Sequence, residues 1–254
     1  MSMRRPLGAI LGIALALLPL SAAAPVAALD PSAVLPDLGM LAPKDFSIQS
    51  RPRGVRWLRF DSVVVNIGPG AFEVVGHDPA ADGTLAVSQR VADGSGGWTE
   101  VATPARMFFA GDGHNHWHVR DLQSWTIARL NDPANVLRRG AKTGFCFWDN
   151  FRYGSTAPIF YHPSTTSACM ERADGTVPMG LSVGWGDEYP STIAFQYIEI
   201  TGLPNGDYLV NLEADPANEF VEANDANNGG WAVIRIARKG VTVLSSGTEA
   251  TPPS

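Results

Sequence analysis

The chain has 254 residues, of which 45% are hydrophobic and 17% charged, with 26 glycines, 19 prolines and two cysteines. This composition excludes a disordered chain, a miniprotein held together by many disulfides and a cysteine-rich zinc module. The net charge of −6 disfavours nucleic acid as a partner and favours cationic substrates such as amines. Frequent glycine and proline interrupt the chain too often for long helices, so we expect a β-rich globular protein.

The first 28 residues have the pattern of an export signal. Arg4 and Arg5 precede an apolar run from Leu7 to Leu20, and Val26-Ala27-Ala28 offers small residues for cleavage. A transmembrane anchor is the alternative, but the run is shorter than the roughly 20 residues that span a bilayer. We therefore expect a secreted or periplasmic protein with no membrane span after cleavage, exported by the general or the twin-arginine route. The mature chain would carry 17 basic and 25 acidic residues, a net charge of −8.

The mature domain is expected to span residues 29–246, and from Arg56 onward short apolar segments separated by turns predict strands. Alternation with a period of two is clearest in Leu85–Val91, and the spacing of strands and turns is typical of an all-β, single-domain β-sandwich with long irregular loops. Residues 150–182 lack a pattern and are expected to form a functional loop. Residues 247–254 are polar and are expected to form a disordered tail. The other predicted strands are 57–66, 72–75, 195–200, 207–213 and 231–236.

Three of the five histidines occupy alternate positions, His114, His116 and His118. In a strand, alternate side chains face the same way, so the three imidazoles would converge on one face. Three neutral imidazoles suit copper or zinc and leave room for water or substrate. A solvated histidine-rich strand or a group of core histidines is the alternative. The pattern indicates a metal without identifying it.

The two cysteines are Cys146 and Cys169. Export to an oxidising compartment would allow them to form a disulfide. Two buried free thiols are the alternative.

Four motifs in series resemble those of the lysyl oxidase family, which are copper-dependent amine oxidases. His114, His116 and His118 match the family's H-x-H-x-H strand, and residues 142–146 (KTGFC) match K-x-x-F-C. Residues 180–184 (GLSVG) lead to Tyr189 and then to 196–201 (QYIEIT), and residues 221–228 (VEANDANN) match the last motif. The resemblance runs from about Asp37 to Ile236.

The resemblance implies that Lys142 and Tyr189 form a lysine tyrosylquinone cofactor and that the three histidines bind copper. It also implies oxidation of primary amines, either small amines or peptidyl lysine, by dioxygen to aldehydes, with release of hydrogen peroxide and ammonia. The residue types suit this chemistry, because a phenol oxidises to a quinone and an amine adds to it. Without the matched neighbours, Lys142 would be interpreted as a surface lysine and Tyr189 as a loop tyrosine.

Further roles follow from the same resemblance. Asp121, three residues after His118, is the candidate catalytic base, and Asp187 and Glu188 beside Tyr189 are rivals. A structural calcium ion is implied, because oxygen-rich clusters suit calcium; an Asx-rich turn that satisfies its own backbone is the alternative. The implied calcium ligands are Asp37, Leu38, Glu222, Asn224, Asn227 and Asn228.

The chain also departs from the family. Animal members are rich in cysteine, whereas this chain has two, and Trp185 stands where animal members often have a cysteine. Two other interpretations stay open: a non-catalytic secreted copper-binding or adhesion sandwich, and a three-histidine zinc hydrolase. The hydrolase would leave Lys142 and Tyr189 without a role.

Overall fold

A computed structural model describes residues 29, 31–110, 115–154, 159–162, 169–238 and 240–250. The predicted signal segment, residues 1–28, lies outside the described residues. Across the described ranges the structure is almost entirely β, with seventeen strands, a short 3-10 turn at Pro52–Gly54 and no α-helix. In this part of the chain no helix is long and apolar enough to cross a membrane.

The strands follow one another with short connections over most of the chain. In chain order they are β1 (Leu38–Met40), β2 (Lys44–Ser50), β3 (Arg56–Asn66), β4 (Phe72–Pro79), β5 (Leu85–Ala92), β6 (Trp98–Phe109), β7 (Trp117–Arg120), β8 (Gln123–Arg129), β9 (Asp132–Arg139), β10 (Gly144–Phe145), β11 (Phe151–Arg152), β12 (Val177–Leu181), β13 (Trp185–Tyr189), β14 (Ile198–Glu199), β15 (Gly206–Ala214), β16 (Gly229–Ala237) and β17 (Gly240–Thr248).

These strands form three antiparallel sheets. The first has the order β1-β3-β13-β11, with β2 and β14 also paired to the long strand β3. The second has the order β10-β7-β6-β5-β4-β12, and the third has the order β17-β16-β15-β8-β9. The predicted all-β, single-domain fold is therefore confirmed, with three sheets in place of the two of a simple sandwich.

One hydrophobic core joins the three sheets. Phe60 of β3, Met107 of β6 and Tyr208 of β15 are fully buried members of the same cluster. In β15, Tyr208, Val210 and Leu212 alternate with more exposed residues, as expected for a strand with one face on the core. The sites described below lie where the edges of these sheets meet.

Two predicted boundaries are corrected by the structure. Residues 247–250 do not form the tail expected from Gly247, because β17 continues through Thr248 and Ala250 is buried against Val63 and Val65. Residues 251–254 lie outside the described residues. The stretch 150–182 is not wholly irregular: β12 pairs with β4 along its whole length, with Met179 opposite Val74. The sequence concealed β12 because Pro178 and Gly180 interrupt its apolar residues.

Candidate metal and cofactor site

The histidine segment does not form the continuous strand predicted for it. Strand β7 begins only at Trp117, and Asn115 has a positive φ of 52°, which interrupts the extended backbone. His116 precedes the strand, yet its Nε2 lies 2.9 Å from the Nε2 of His118. His114 lies outside the described residues. No cluster of three potential metal ligands occurs among the residues that the structure describes, which include His116 and His118 but not His114.

His118 is held in a tightly packed position. It is buried in β7, and its ring meets that of Phe108 edge to face with centroids 5.8 Å apart. Strand β10 pairs with β7, with Gly144 opposite Arg120 and Phe145 opposite Val119. A Cβ on Gly144 would approach His118 Nδ1 to 2.7 Å, so only glycine allows this close contact. The pairing thus brings the KTGFC segment beside the histidines.

Lys142 and Tyr189 lie close together in the protein interior. The Nζ of Lys142 is 5.4 Å from the centre of the Tyr189 ring, and the two residues are 8% and 5% exposed. The Tyr189 hydroxyl donates a hydrogen bond to the carbonyl oxygen of Cys146 at 2.9 Å. Tyr189 ends β13, which pairs with β3 so that Ser62 stands opposite it. The amine and the phenol are therefore brought together by two segments, one that leads into β10 of the second sheet and one that ends β13 of the first.

Asp187 is a buried carboxylate beside the phenol. Its Oδ1 accepts a hydrogen bond from the side-chain amide of Asn150, and its Oδ2 is buried without a hydrogen-bond partner among the described residues. Burial raises the pKa of Asp187 well above its ordinary value, and its interactions with Tyr189 and Asn150 oppose that rise. Burial and the Asp187 charge also raise the pKa of Tyr189, so the phenol keeps its proton.

Of the other two candidate bases, one shares the cavity beside Tyr189 and one does not. Glu188 lines the same cavity as Tyr189 but forms an ion pair with Lys44, with 2.7 Å between Oε1 and Nζ. Asp121 has a positive φ of 54° and donates its backbone N–H to the Thr143 carbonyl. The side chains around Tyr189, including His116, Lys142 and Asp187, line a cavity of about 300 Å³, whereas Asp121 lines a second cavity of about 470 Å³. Lys142 lines both.

The predicted disulfide between Cys146 and Cys169 is present. Cys146 ends the KTGFC segment, and the carbonyl of Cys169 accepts a hydrogen bond from the backbone N–H of Trp117 at the start of β7. The disulfide therefore ties the segment that carries Lys142 to the strand that carries His118.

Most of the implied calcium ligands do meet. Glu222 accepts hydrogen bonds from the backbone of Leu38 and, at 3.2 Å, from Asn228 Nδ2, and Asn227 Nδ2 donates to Asp37 Oδ2 at 3.3 Å. Three oxygens here are buried without a hydrogen-bond partner among the described residues: Asp37 Oδ1, Asn227 Oδ1 and Asn228 Oδ1. Burial raises the pKa of Glu222 to about 8. Oxygens left in this state fit a cation of calcium type.

Asn224 is separate from this oxygen cluster. It is exposed, and its Oδ1 accepts a hydrogen bond from the backbone N–H of Ala226 at 3.1 Å. This contact is the Asx turn that was the alternative to a calcium site. The Asx-turn interpretation therefore describes Asn224, whereas the calcium interpretation fits the oxygens of Asp37, Asn227 and Asn228.

Two residues that hold the site together were missed in the sequence. Asp149 is buried and accepts hydrogen bonds from both the backbone and the hydroxyl of Ser182, and Asn150 binds Asp187 and the backbone N–H of Glu188. They follow the KTGFC segment after two residues, Phe147 and Trp148. Two adjacent Asx residues so close to a cofactor motif are the signal that would have identified them.

Comparison with known proteins decides the family. The family profile described as lysyl oxidase matches residues 85–245, well over half of the chain. The chain belongs to the lysyl oxidase family. The matched range includes His118, Lys142 and Tyr189 but not Asp37 and Leu38 of the calcium cluster.

Individual relatives are distant. Protein-lysine 6-oxidase of Homo sapiens is 28% identical over 155 residues, which cover 59% of this chain and 33% of that protein. Lysyl oxidase homolog 2 of Homo sapiens is 27% identical over 118 residues, which cover 46% of this chain and 14% of that protein. The matched segment thus spans a third or less of the length of each of these relatives.

Proposed function

We propose that this chain is a secreted, copper-dependent amine oxidase that uses a lysine tyrosylquinone formed from Lys142 and Tyr189. The observation that supports this most directly is the 5.4 Å approach of the Lys142 amine to the Tyr189 ring. Its substrates would be primary amines, small or peptidyl lysine, oxidised to aldehydes with consumption of dioxygen and release of hydrogen peroxide and ammonia. Residues 1–28 would be removed on export.

Copper would be held by His114, His116 and His118. The 2.9 Å separation of the Nε2 atoms of His116 and His118 fits this donor set, because two ring nitrogens so close together suit a shared metal ion or proton. Bound copper would supply the redox chemistry by which dioxygen converts the phenol to the quinone. The chain's own contribution is to bury Tyr189 next to Lys142 and fix its hydroxyl on Cys146.

Asp187 is the proposed catalytic base in preference to Asp121. It lines the same cavity as Tyr189 and Lys142, and Asn150 fixes one of its oxygens. A buried carboxylate with a raised pKa is a stronger base than an exposed one. Its role would be to take a proton from the carbon that bears the substrate amine. The quinone would supply the electrophilic carbonyl and the sink for the electron pair.

We also propose that the cluster formed by Asp37, Glu222, Asn227 and Asn228 binds calcium. The segment before β1 carries Asp37, and the others lie between β15 and β16. A cation at this cluster would join the first and third sheets.

The central proposal is tested by peptide mapping. The mature protein is loaded with copper in air, digested and analysed by mass spectrometry. The expected result is a cross-linked species that contains the peptides of Lys142 and Tyr189. Matched samples loaded without copper, or without oxygen, should lack it. Bound copper with an intact Cys146–Cys169 disulfide and no cross-link would favour the non-catalytic copper-binding sandwich, and zinc in place of copper would favour the hydrolase.

A further inference from the structure

The chain leaves the first sheet immediately after Tyr189 and returns to it at Ile198. Tyr189 is paired with Ser62 of β3. Ile198 is paired with Leu58 of the same strand. Strand β3 has three residues between these two paired positions, whereas the opposite segment has eight, residues 190–197. This 190–197 excursion therefore cannot stay in register with β3, and extra residues of this kind occur often beside active sites, where they redirect side chains.

The 190–197 excursion forms one wall of the cavity around Tyr189. Pro190 and Ile193 line this cavity of about 300 Å³, together with Trp148 from the segment that follows KTGFC. Ile193 and Trp148 are partly buried, and both pack against the hydrophobic core cluster to which Tyr189 belongs. Their side chains thus face the protein interior and give this part of the cavity an apolar surface.

Contacts from β3 hold the first half of the excursion in place. The Arg59 guanidinium donates hydrogen bonds to the carbonyl oxygens of Ser191 and, at 2.6 Å, of Ile193. The Asp61 carboxylate accepts a hydrogen bond from the backbone N–H of Ser191. These bonds are charge-assisted and act on the backbone that carries the Ile193 side chain. The wall can therefore move aside for a ligand only if strong hydrogen bonds break.

The QYIEIT motif holds the second half. Gln196 is fully buried, and its Nε2 donates hydrogen bonds to the Phe60 carbonyl oxygen and the Ser62 hydroxyl, each at 3.1 Å. The Tyr197 ring stacks on the Trp57 ring with the ring centres 3.9 Å apart. The first two residues of the motif thus anchor the excursion where it returns to the sheet.

We propose that Ile193 is a specificity-determining residue, whose fixed side chain selects primary amines with an unbranched hydrocarbon arm. The apolar wall binds methylene groups, because their burial removes apolar surface from water. It rejects an arm that carries a ring close to the nitrogen, because the hydrogen bonds of Arg59 keep the wall in place. Arg59 is a positioning residue, which acts on the ligand only through the Ile193 backbone. This inference rests on the proposed amine oxidase function for its catalytic consequence but not for binding.

Binding is tested on copper-free protein by ligand-observed NMR with n-pentylamine and cyclohexylmethylamine. The wild type should bind n-pentylamine roughly tenfold more tightly than cyclohexylmethylamine. Ile193→Ala should remove most of this difference, because the smaller side chain leaves room for the ring. Arg59→Met should reduce it as well, because the wall is then free to move. Thr192→Ala, at an exposed position of the same excursion, is the matched control and should discriminate as the wild type does.

Oxidation by the copper-loaded protein provides the second measurement. The ratio of kcat/KM for cyclohexylmethylamine to that for n-pentylamine should rise roughly tenfold in Ile193→Ala and Arg59→Met and stay at the wild-type value in Thr192→Ala. Both rates come from the same sample, so a loss of folded or cofactor-containing protein cancels in the ratio.

The two measurements separate the inference from the function on which it rests. An unchanged preference in Ile193→Ala, or the same change in Thr192→Ala, would overturn the inference, and an unchanged preference in Arg59→Met alone would exclude Arg59 as the positioning residue. If neither amine is oxidised while Ile193→Ala still alters the binding preference, the proposed oxidase function fails and the role of Ile193 in binding stands.

Discussion

The Nζ of Lys142 lies 5.4 Å from the centre of the Tyr189 ring and, at the same distance, from the centre of the Phe145 ring. Phe145 and Tyr189 meet edge to face, with their ring centres 5.5 Å apart. The amine is thus confined between two aromatic rings, of which only one carries a hydroxyl. On the proposed chemistry, the amine would bond to the ring that carries the hydroxyl.

Replacing Tyr189 with phenylalanine should separate metal binding from cofactor formation. Tyr189→Phe keeps the ring but loses the hydroxyl that binds Cys146, at a cost of about 1–2 kcal/mol in the free energy of unfolding. We expect normal copper content, no quinone absorbance and no amine oxidation. Visible spectra and metal analysis of the same sample check this. Retained amine oxidation would exclude Tyr189 as the cofactor precursor.

Gly144→Ala should disturb the histidine site by overpacking. The new Cβ would lie 2.5 Å from Phe108 Cζ and 2.7 Å from His118 Nδ1, so the His118 ring must move. We expect copper affinity to fall roughly 10–100-fold and the free energy of unfolding to fall by about 1–3 kcal/mol. Gly240→Ala, where nothing lies within 4 Å of the added Cβ, is the matched control. Equal copper affinity in the two variants would show that His118 does not need this packing.

Asn150→Ala should act through Asp187. The Asn150 hydrogen bond lowers the pKa of that carboxyl, so its removal raises the pKa further. A base must be deprotonated to act, and the rising acid limb of the kcat/KM profile should therefore move to higher pH. Loss of positioning should lower the maximum roughly 10–100-fold. Asn135→Ala, an exposed residue of β9, serves as the control, and an unshifted acid limb in Asn150→Ala would exclude Asp187 as the titrating base.

Calcium removal should destabilise the fold. In copper-free protein, calcium at a hundred times its dissociation constant should add about 2.7 kcal/mol to the free energy of unfolding. A chelator should therefore lower the Tm by roughly 5–10 °C. Glu222→Gln should abolish most of this calcium dependence, whereas Glu171→Gln, at an exposed position, should keep it. The same chelator effect in both variants would place the cation elsewhere.

Much of the fold follows from local patterns. The alternation in Leu85–Val91 and Asp207–Glu213 identified β5 and most of β15, since one face of each strand packs on the core. Strand β12 was missed because Pro178 and Gly180, residues uncommon inside strands, interrupt its apolar residues. The division into three sheets depends on pairings between distant segments, such as β3 with β13, which no local pattern records.

The candidate site, like the fold, could be predicted from the sequence only in part. Motifs pointed to His118, Lys142 and Tyr189, because those residue types suit the proposed chemistry. Asn150 belongs to none of these motifs, and only its contact with Asp187 in the folded chain shows what it holds. Strict alternation also misled the interpretation of the histidines, because Asn115 adopts a positive φ that sequence patterns do not specify.

The pairing of Ser62 with Tyr189 has a consequence for the order of events during folding. Strand β3 and the histidines precede β13 in the chain, and Tyr189 reaches its place only when β13 pairs with β3. On the proposed chemistry, the ring would therefore be oxidised beside Lys142 only after these two distant strands have paired. The modified side chain would then be a chemical record that this part of the chain has folded.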